Sequence, residues 1–153
     1  FGVPARTILE KALRNSPRPV VVVSRHLHGG QGVLVAYDGS LQVARSLQAL
    51  VAGDLAHLGP ITVVGVHRNS ENAVGEHVDR AVEYLVGHGL KAHGHVIVSD
   101  KSVERVIVEE GQARGAELIV MGAYGHSRLA ELLLGSITAK VLDGATAPVF
   151  LFH

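Results

Sequence analysis

The stretch LIVMGAYGHSRLAELLLGSIT, residues 118–138, decides the fold of this chain. Its apolar start predicts a buried strand, after which Gly122, Gly125, Gly135 and Ser136 form a G-x2-G-x9-G-[S/T] pattern. Glycines let the backbone turn tightly with its N–H groups exposed, and a helix start offers unpaired N–H groups and a partial positive charge. Ser136 could cap that helix or hydrogen-bond a phosphate oxygen. The pattern favours a phosphate-binding loop over its alternative, a kinked helix followed by a cap.

Around this segment, apolar runs alternate between the periods of strands and helices. The strands are predicted at residues 32–37, 61–67, 91–98, 118–122 and 147–152. The helices between them are predicted at residues 41–58, 74–87 and 102–114, followed by a split helix that ends near residue 144. Strand–helix–strand units with continuous apolar strands are typical of parallel sheets covered on both sides. The sequence therefore predicts an α/β fold, an open parallel five-stranded sheet with helices on both faces.

The first 25 residues repeat the end of the chain. TILEKALRNSPRPVVVVS, residues 7–24, aligns without gaps to SITAKVLDGATAPVFLFH, residues 136–153, and the offset is 129 for both the Lys11/Lys140 pair and the Pro19/Pro148 pair. We expect residues 1–25 to be the tail of a preceding copy of the domain, residues 26–32 a linker, and residues 33–153 the domain itself. The alternative is that any helix–proline–strand unit looks like this. The tail adds a helix and an edge strand to the five-stranded sheet.

Composition excludes several classes of function. Lys plus Arg and Asp plus Glu number 14 each, so no net charge favours binding to nucleic acid or to an anionic membrane. The chain has no Cys, which excludes disulfides and thiolate chemistry. No apolar run has the length of a membrane span, and no signal-peptide core is evident, so we expect a cytoplasmic protein. The chain does not begin with Met, which suggests a piece of something longer. Its ten histidines have no strong metal-ligand spacing, and we expect no protein metal site.

These motifs resemble the universal stress protein family, and specifically its ATP-binding class. VLVAYDGS, residues 33–40, is similar to the family's first strand and the turn after it. Residues 118–122 are similar to its fourth strand, and APVFLF, residues 147–152, to its last. The resemblance covers about residues 32–153. It departs from the family at His126, where Lys or Arg is common, and at Arg128, where Gly is common.

The resemblance implies the strand order 3-2-1-4-5, which places a ligand crevice between the ends of strands one and four. Asp38 would contact the nucleoside, although Asp38-Gly39-Ser40 could equally be only a turn and a helix cap. Val66 would flank the adenine. Glycines and helix N–H groups would hold the phosphates, and His126 or Arg128 could pair with a phosphate. The expected nucleotide-binding residues are Ala36, Tyr37, Asp38, Gly39, Ser40, Val66, Met121, Gly122, Gly125, His126, Gly135, Ser136, Ile137 and Thr138.

The leading functional hypothesis is an ATP-binding regulatory module of the stress response, with Mg²⁺ bound through the phosphates. The second is slow ATP hydrolysis or nucleotidyl transfer; against it, no general base is evident beside the loop and no Walker-type Lys follows the glycines. The third is an interaction domain that binds no nucleotide. The resemblance also implies pairing of domains through their last strands, as a homodimer or in tandem, here between Val149–Phe152 and residues 20–23.

Overall fold

Strands and helices alternate along the chain in a computed structural model, which describes residues 3–23, 30–53, 55–69, 72–123 and 134–152. The N-terminal segment forms a helix and a short strand, and the remainder forms five strands with helices between them. The elements in chain order are α1 (Val3–Asn15), β1 (Val20–Val22), β2 (Val33–Ala36), α2 (Leu41–Ala52), a 3₁₀ helix (Leu55–Leu58), β3 (Ile61–His67), α3 (Asn72–Gly87), β4 (Ala92–Val98), α4 (Val103–Ala113), β5 (Leu118–Gly122), α5 (Ser136–Gly144) and β6 (Val149–Phe152).

All six strands belong to one sheet, in the order β1-β6-β5-β2-β3-β4. Strands β2 to β6 run parallel, whereas β1 pairs antiparallel with β6, with Val21 opposite Phe150. The α/β class is therefore confirmed, and the whole sheet is mixed and six-stranded, because β1 adds an antiparallel edge strand beside β6. Without β1, the strands lie in the order β4-β3-β2-β5-β6.

The sheet separates two apolar cores, because successive strand residues point to opposite faces. On one face, Leu34 and Ile119 belong to a cluster with residues of α1, α4 and α5. On the other face, Val35 and Val63 belong to a cluster with residues of α2 and α3. Each fully buried aliphatic side chain contributes about 1.5–3 kcal/mol. Burial on both faces explains the continuous apolar strands that the sequence shows.

Some element boundaries differ from the prediction. Helix α2 ends at Ala52 rather than at residue 58, because the backbone leaves helical geometry at the C-cap Gly53 (φ −89°, ψ 6°), and a 3₁₀ helix follows. Helix α3 begins at residue 72 rather than 74. The first half of the predicted split helix lies outside the described residues. Within those residues, every helix is too short or too polar to cross a bilayer.

Helix α3 packs closely on the sheet at Gly65 of β3, which gives a prediction about stability. A Cβ at Gly65 would lie 2.2 Å from Val74 Cγ1 and 2.7 Å from Val78 Cγ2, so Gly65→Ala must push α3 away and should cost about 1–3 kcal/mol of unfolding free energy. The matched control is Gly75→Ala within α3, where a Cβ meets nothing within 4 Å and should stabilise by about 0.5–1 kcal/mol. Urea unfolding of both variants measures this, and equal effects would contradict the close packing.

Candidate functional site

A cleft of about 270 Å³ opens at the carboxyl ends of β2 and β5. Strand β2 pairs with β3 on one side and with β5 on the other, so the chain crosses the sheet in opposite directions from this point. Such switch points are where open α/β sheets bind ligands. The cleft is lined by residues of β2, β3, β5, α2, α4 and α5 and of the turns beside them: Ala36, Tyr37, Asp38, Ser40, Val43, Val64, Val66, Val103, Ile107, Met121, Gly122, Gly135, Ser136, Ile137 and Thr138.

The wall after β2 is a turn that leads directly into α2. The Ser40 N–H donates to Asp38 Oδ1 (2.9 Å), and the Val43 N–H donates to Ser40 Oγ (3.4 Å) at the start of the helix. Gly39 has φ +79°, and a Cβ there would lie 2.7 Å from the His77 ring. The turn-and-cap interpretation of this tripeptide is therefore confirmed. The nucleoside contact of Asp38 stays a prediction.

The opposite wall is the end of β5 and the start of α5. Gly135 is the N-cap of α5, with extended backbone and no side-chain cap bond, so Ser136 is the first helical residue and its predicted capping role is wrong. The first helix bond runs from the Ala139 N–H to the Gly135 carbonyl (2.9 Å). The three preceding N–H groups have no acceptor within the helix, as at any helix start. Thr138 Oγ1 donates to the Gly122 carbonyl (3.2 Å) and ties this helix start to β5.

Gly122 has a packing role in addition to its expected role in binding phosphate. A Cβ at this position would lie 3.1 Å from Gln42 Cβ and 3.2 Å from the Val43 backbone nitrogen. The absence of a side chain therefore lets the start of α2 approach the end of β5. A larger residue at Gly122 would move α2, so its effect on ligand binding could not be separated from its effect on the fold.

The interior of the cleft is apolar. Its valines, isoleucines and methionine come from five separate elements, and a slot of this kind suits a flat heteroaromatic ring. Val64 could have been inferred from Val66, because residues two apart on a strand share a face. Val103 and Ile107 share a helix face at i, i+4 spacing, but only the tertiary packing of α4 brings them to the cleft. The sequence did not indicate four of the lining residues, which are Val43, Val64, Val103 and Ile107.

Charges are sparse in the cleft. Among the described lining residues, none is Lys, Arg or His, and Asp38 is the one carboxylate. Burial raises the pKa of the Tyr37 phenol above its ordinary value, with the charge of Asp38 adding to this and that of Arg80 opposing it, so Tyr37 is a neutral hydrogen-bonding group. The predicted residues Gly125 and His126 lie outside the described residues, as does Arg128. In the described part of the chain, no group of three His, Asp or Glu side chains forms a metal site.

The two helices that border the cleft are joined by an ion pair. Lys140 Nζ of α5 lies 2.7 Å from Glu104 Oε1 of α4, and the side chain of Glu104 is 15% exposed. The hydrogen bond from Lys140, followed by a backbone hydrogen bond, lowers the pKa of Glu104. Because Lys140 is largely exposed, the pair contributes no more than about 1 kcal/mol. Since Lys140 lies in the middle of α5, the pair adds one link between α4 and α5.

Comparisons with known proteins agree with this fold. The sequence profile of the universal stress protein family matches residues 30–153. A universal stress protein of Synechocystis is 31% identical over 146 residues, which are 95% of this chain and 50% of the relative. The chain therefore belongs to the universal stress protein family, and it spans half the length of that relative.

Solved structures of the family share the fold. A universal stress protein from Archaeoglobus fulgidus, in complex with dAMP, superposes with a TM-score of 0.65 at 22% identity, covering 84% of this chain and all (100%) of that one. A universal stress protein in complex with cAMP superposes with a TM-score of 0.64 at 22% identity, covering 82% and 98%. Both are single units of about the size of residues 30–153.

The α4–α5 ion pair generates a prediction about pH. Glu104→Gln should lower the unfolding free energy by a few tenths to about 1 kcal/mol at neutral pH. Since the folded pKa of Glu104 is lowered, this contribution is present above the unfolded pKa of about 4.3 and is lost as pH falls through the folded value. Thermal unfolding of wild type and variant from about pH 7 to about pH 3 measures this. The unfolding free energies of the two proteins should converge as the pH falls.

The control for this prediction is Glu109→Gln on the same helix. Glu109 also has a lowered pKa, from its hydrogen bonds with Lys101 and Arg105, but it lies on the exposed side of α4. Because its partners are Lys101 and Arg105 and not a residue of α5, Glu109→Gln should show a similar pH dependence that does not involve the contact between α4 and α5. A gap between wild type and Glu104→Gln that stays constant down to the lowest pH would show that the carboxylate charge is not the cause.

Proposed function

We propose that this domain binds an adenine nucleotide, ATP in particular, in the cleft between β2 and β5, and acts as a nucleotide-dependent regulatory module in a stress response. The observation that carries the proposal is the apolar slot that ends at the N-terminus of α5. The slot suits a base, and the helix start suits phosphates. The dAMP and cAMP complexes of related folds support adenine as the base.

In this proposal the adenine enters the apolar interior beside Val66 and Val64. Asp38 and the backbone of the turn after β2 contact the sugar. The phosphates lie at the start of α5, where the N–H groups of Ser136 and Ile137 precede the first helix bond. The glycine pattern of the sequence adds Gly125 and His126 to the expected phosphate site, and Mg²⁺ would be bound by the phosphates themselves. A cytoplasmic location, where ATP is abundant, fits this function.

Slow ATP hydrolysis is the weaker alternative. Asp38 is the one carboxylate among the described lining residues, and its Oδ1 already accepts the Ser40 N–H. A carboxylate held within its own turn is poorly placed to activate water at the far wall. A regulatory role instead requires only that occupancy changes the loop or a neighbouring domain.

The phosphate position can be tested at Ser136, which is exposed and lies at the first helical position. Ser136→Asp should leave the fold intact, because a carboxylate in the first turn is favourable to the helix dipole, but it should repel phosphates. We expect ATP affinity to fall by at least about tenfold, or about 1.4 kcal/mol, while adenosine affinity is unchanged. Calorimetric titration of protein freed of co-purified nucleotide measures both.

Ser136→Asn is the control, since the Asn side chain has nearly the same shape as that of Asp but carries no charge. It should bind ATP as wild type does. Equal ATP affinity of the Asp and Asn variants would place the phosphates elsewhere. Absence of heat with ATP and Mg²⁺ in the wild type, together with no nucleotide in an acid extract of the purified protein, would instead identify an interaction domain.

The base position can be tested at Val66, which is half-buried at the end of β3. Val66→Phe should fill the slot. It should lower the affinity for ATP and the affinity for adenosine to the same extent, by about tenfold or more. This pattern differs from that of Ser136→Asp, which should lower only the affinity for ATP, the ligand that carries phosphates. Val98→Phe is the control, because Val98 is exposed on β4 and does not line the cleft. Unchanged adenosine affinity in Val66→Phe would contradict the assignment.

A further inference from the structure

Helix α3 places the ring of His77 directly over the turn that follows β2. A Cβ built on Gly39 would lie 2.7 Å from Cγ, 2.8 Å from Cδ2 and 2.9 Å from Nδ1 of His77. Because Cγ is bonded to the other two atoms, nearly equal distances to all three place that point above the face of the ring. The imidazole therefore lies flat against the glycine, in the space that a side chain at position 39 would occupy.

The turn is held from within by hydrogen bonds between neighbouring residues. The Ser40 N–H donates to Asp38 Oδ1 (2.9 Å), and Ser40 Oγ accepts the Val43 N–H at the start of α2 (3.4 Å). Gly39 between them has φ +79°, a conformation that glycine adopts with far less strain than other residues. Glycine loses more conformational freedom on ordering than any other residue, so a contact that covers Gly39 from outside helps to keep the turn in this form.

The position of His77 is fixed by the core beneath α3. Val74 and Val78, on either side of it along the helix, are buried, and both approach Gly65 of β3, where that strand has no side chain. The next residue of the same strand is Val66, which lines the cleft. Strand β3 thus seats the first half of α3 on one face and contributes to the cleft from the other.

The same side of α3 also acts on Tyr37, the residue before the turn. Burial and the charge of Asp38 raise the pKa of the Tyr37 phenol, whereas the charge of Arg80 lowers it. Arg80 is three residues beyond His77, so the two side chains share a side of the helix. Tyr37 and Asp38 line the cleft, whereas His77 and Arg80 are not among its described lining residues. Helix α3 therefore borders this wall of the cleft from behind.

We propose that His77 is a positioning residue, whose imidazole braces the turn of residues 38–40 so that Asp38 and the backbone of the turn meet the sugar of a bound nucleotide. The inference rests on the proposed function, because it assigns a support to the wall where that sugar lies. His77 acts through the turn and contacts no ligand. Its loss should therefore lower the affinity for adenosine and for ATP by the same factor, since both carry the sugar and differ only in the phosphates.

The brace is tested by His77→Ala and His77→Phe. His77→Ala removes the ring, and we expect the Ser40 amide, whose hydrogen bond to Asp38 closes the turn, to exchange with solvent at least about fivefold faster. His77→Phe keeps a flat ring and should retain the wild-type exchange rate within about twofold. Calorimetric titration should show affinities for adenosine and ATP that are at least about threefold lower in His77→Ala and close to wild type in His77→Phe.

Asp79→Ala is the matched control, because Asp79 is exposed on the same helix and lines the groove between α3 and β4. It should change neither the exchange of the Ser40 amide nor either affinity. A purely structural role of His77 would instead speed exchange along α3 and β4 as well, and that result overturns the proposal. The proposal is also overturned if Ser40 exchanges equally fast in His77→Ala and wild type, if His77→Phe behaves as His77→Ala does, or if Ser40 exchanges faster while both affinities are unchanged.

Failure of the proposed function gives a different result. A wild type that binds neither adenosine nor ATP overturns the proposed function, and with it the contact to the sugar. The exchange of the Ser40 amide in ligand-free protein still decides whether His77 braces the turn. The two failures are thus read from separate measurements.

Discussion

The double pairing of β2, with β3 on one side and β5 on the other, is the constraint on which the site depends. Because the chain leaves β2 in one direction and returns beside it from the other, the connections after β2 and β5 diverge and leave a gap above the sheet. Gly122 keeps that gap narrow at its base by letting α2 approach β5, and the Thr138–Gly122 hydrogen bond holds the start of α5 over it. The cleft is thus a product of topology that a few short contacts adjust in shape.

In the described part of the cleft, the groups suited to an anion are dipoles and not charges. The chain has no net charge, and the described lining residues include no cationic side chain. The N–H groups at the start of α5 present a partial positive charge in a fixed direction, next to an apolar interior that weakens screening by water. A ligand with both an apolar ring and a phosphate group matches both parts of the cleft at once. This combination of surfaces is why we favour a nucleotide over a simple anion.

Much of this could be read from the sequence. The apolar strands and the Asp38-Gly39-Ser40 turn could be predicted because both follow from local pattern and turn-residue chemistry. The strands that form each wall followed from the resemblance. Val103 and Ile107 could not be found, because their helix reaches the cleft only through tertiary packing. The end of α2 was misplaced because residues 55–58 keep an apolar pattern in a 3₁₀ helix. Capping by Ser136, one of its two predicted roles, is wrong because Gly135 stands at the N-cap position.

The antiparallel pairing of β1 with β6 has a consequence for how the two ends of the chain are held together. The pairing covers only three residues on each strand, which is little for two separate molecules. Because β1 and β6 belong to one chain, their pairing is intramolecular, at an effective concentration of about millimolar. An interface too weak for free chains is then occupied nearly all the time. The short ladder between β1 and β6 therefore stays formed within one chain.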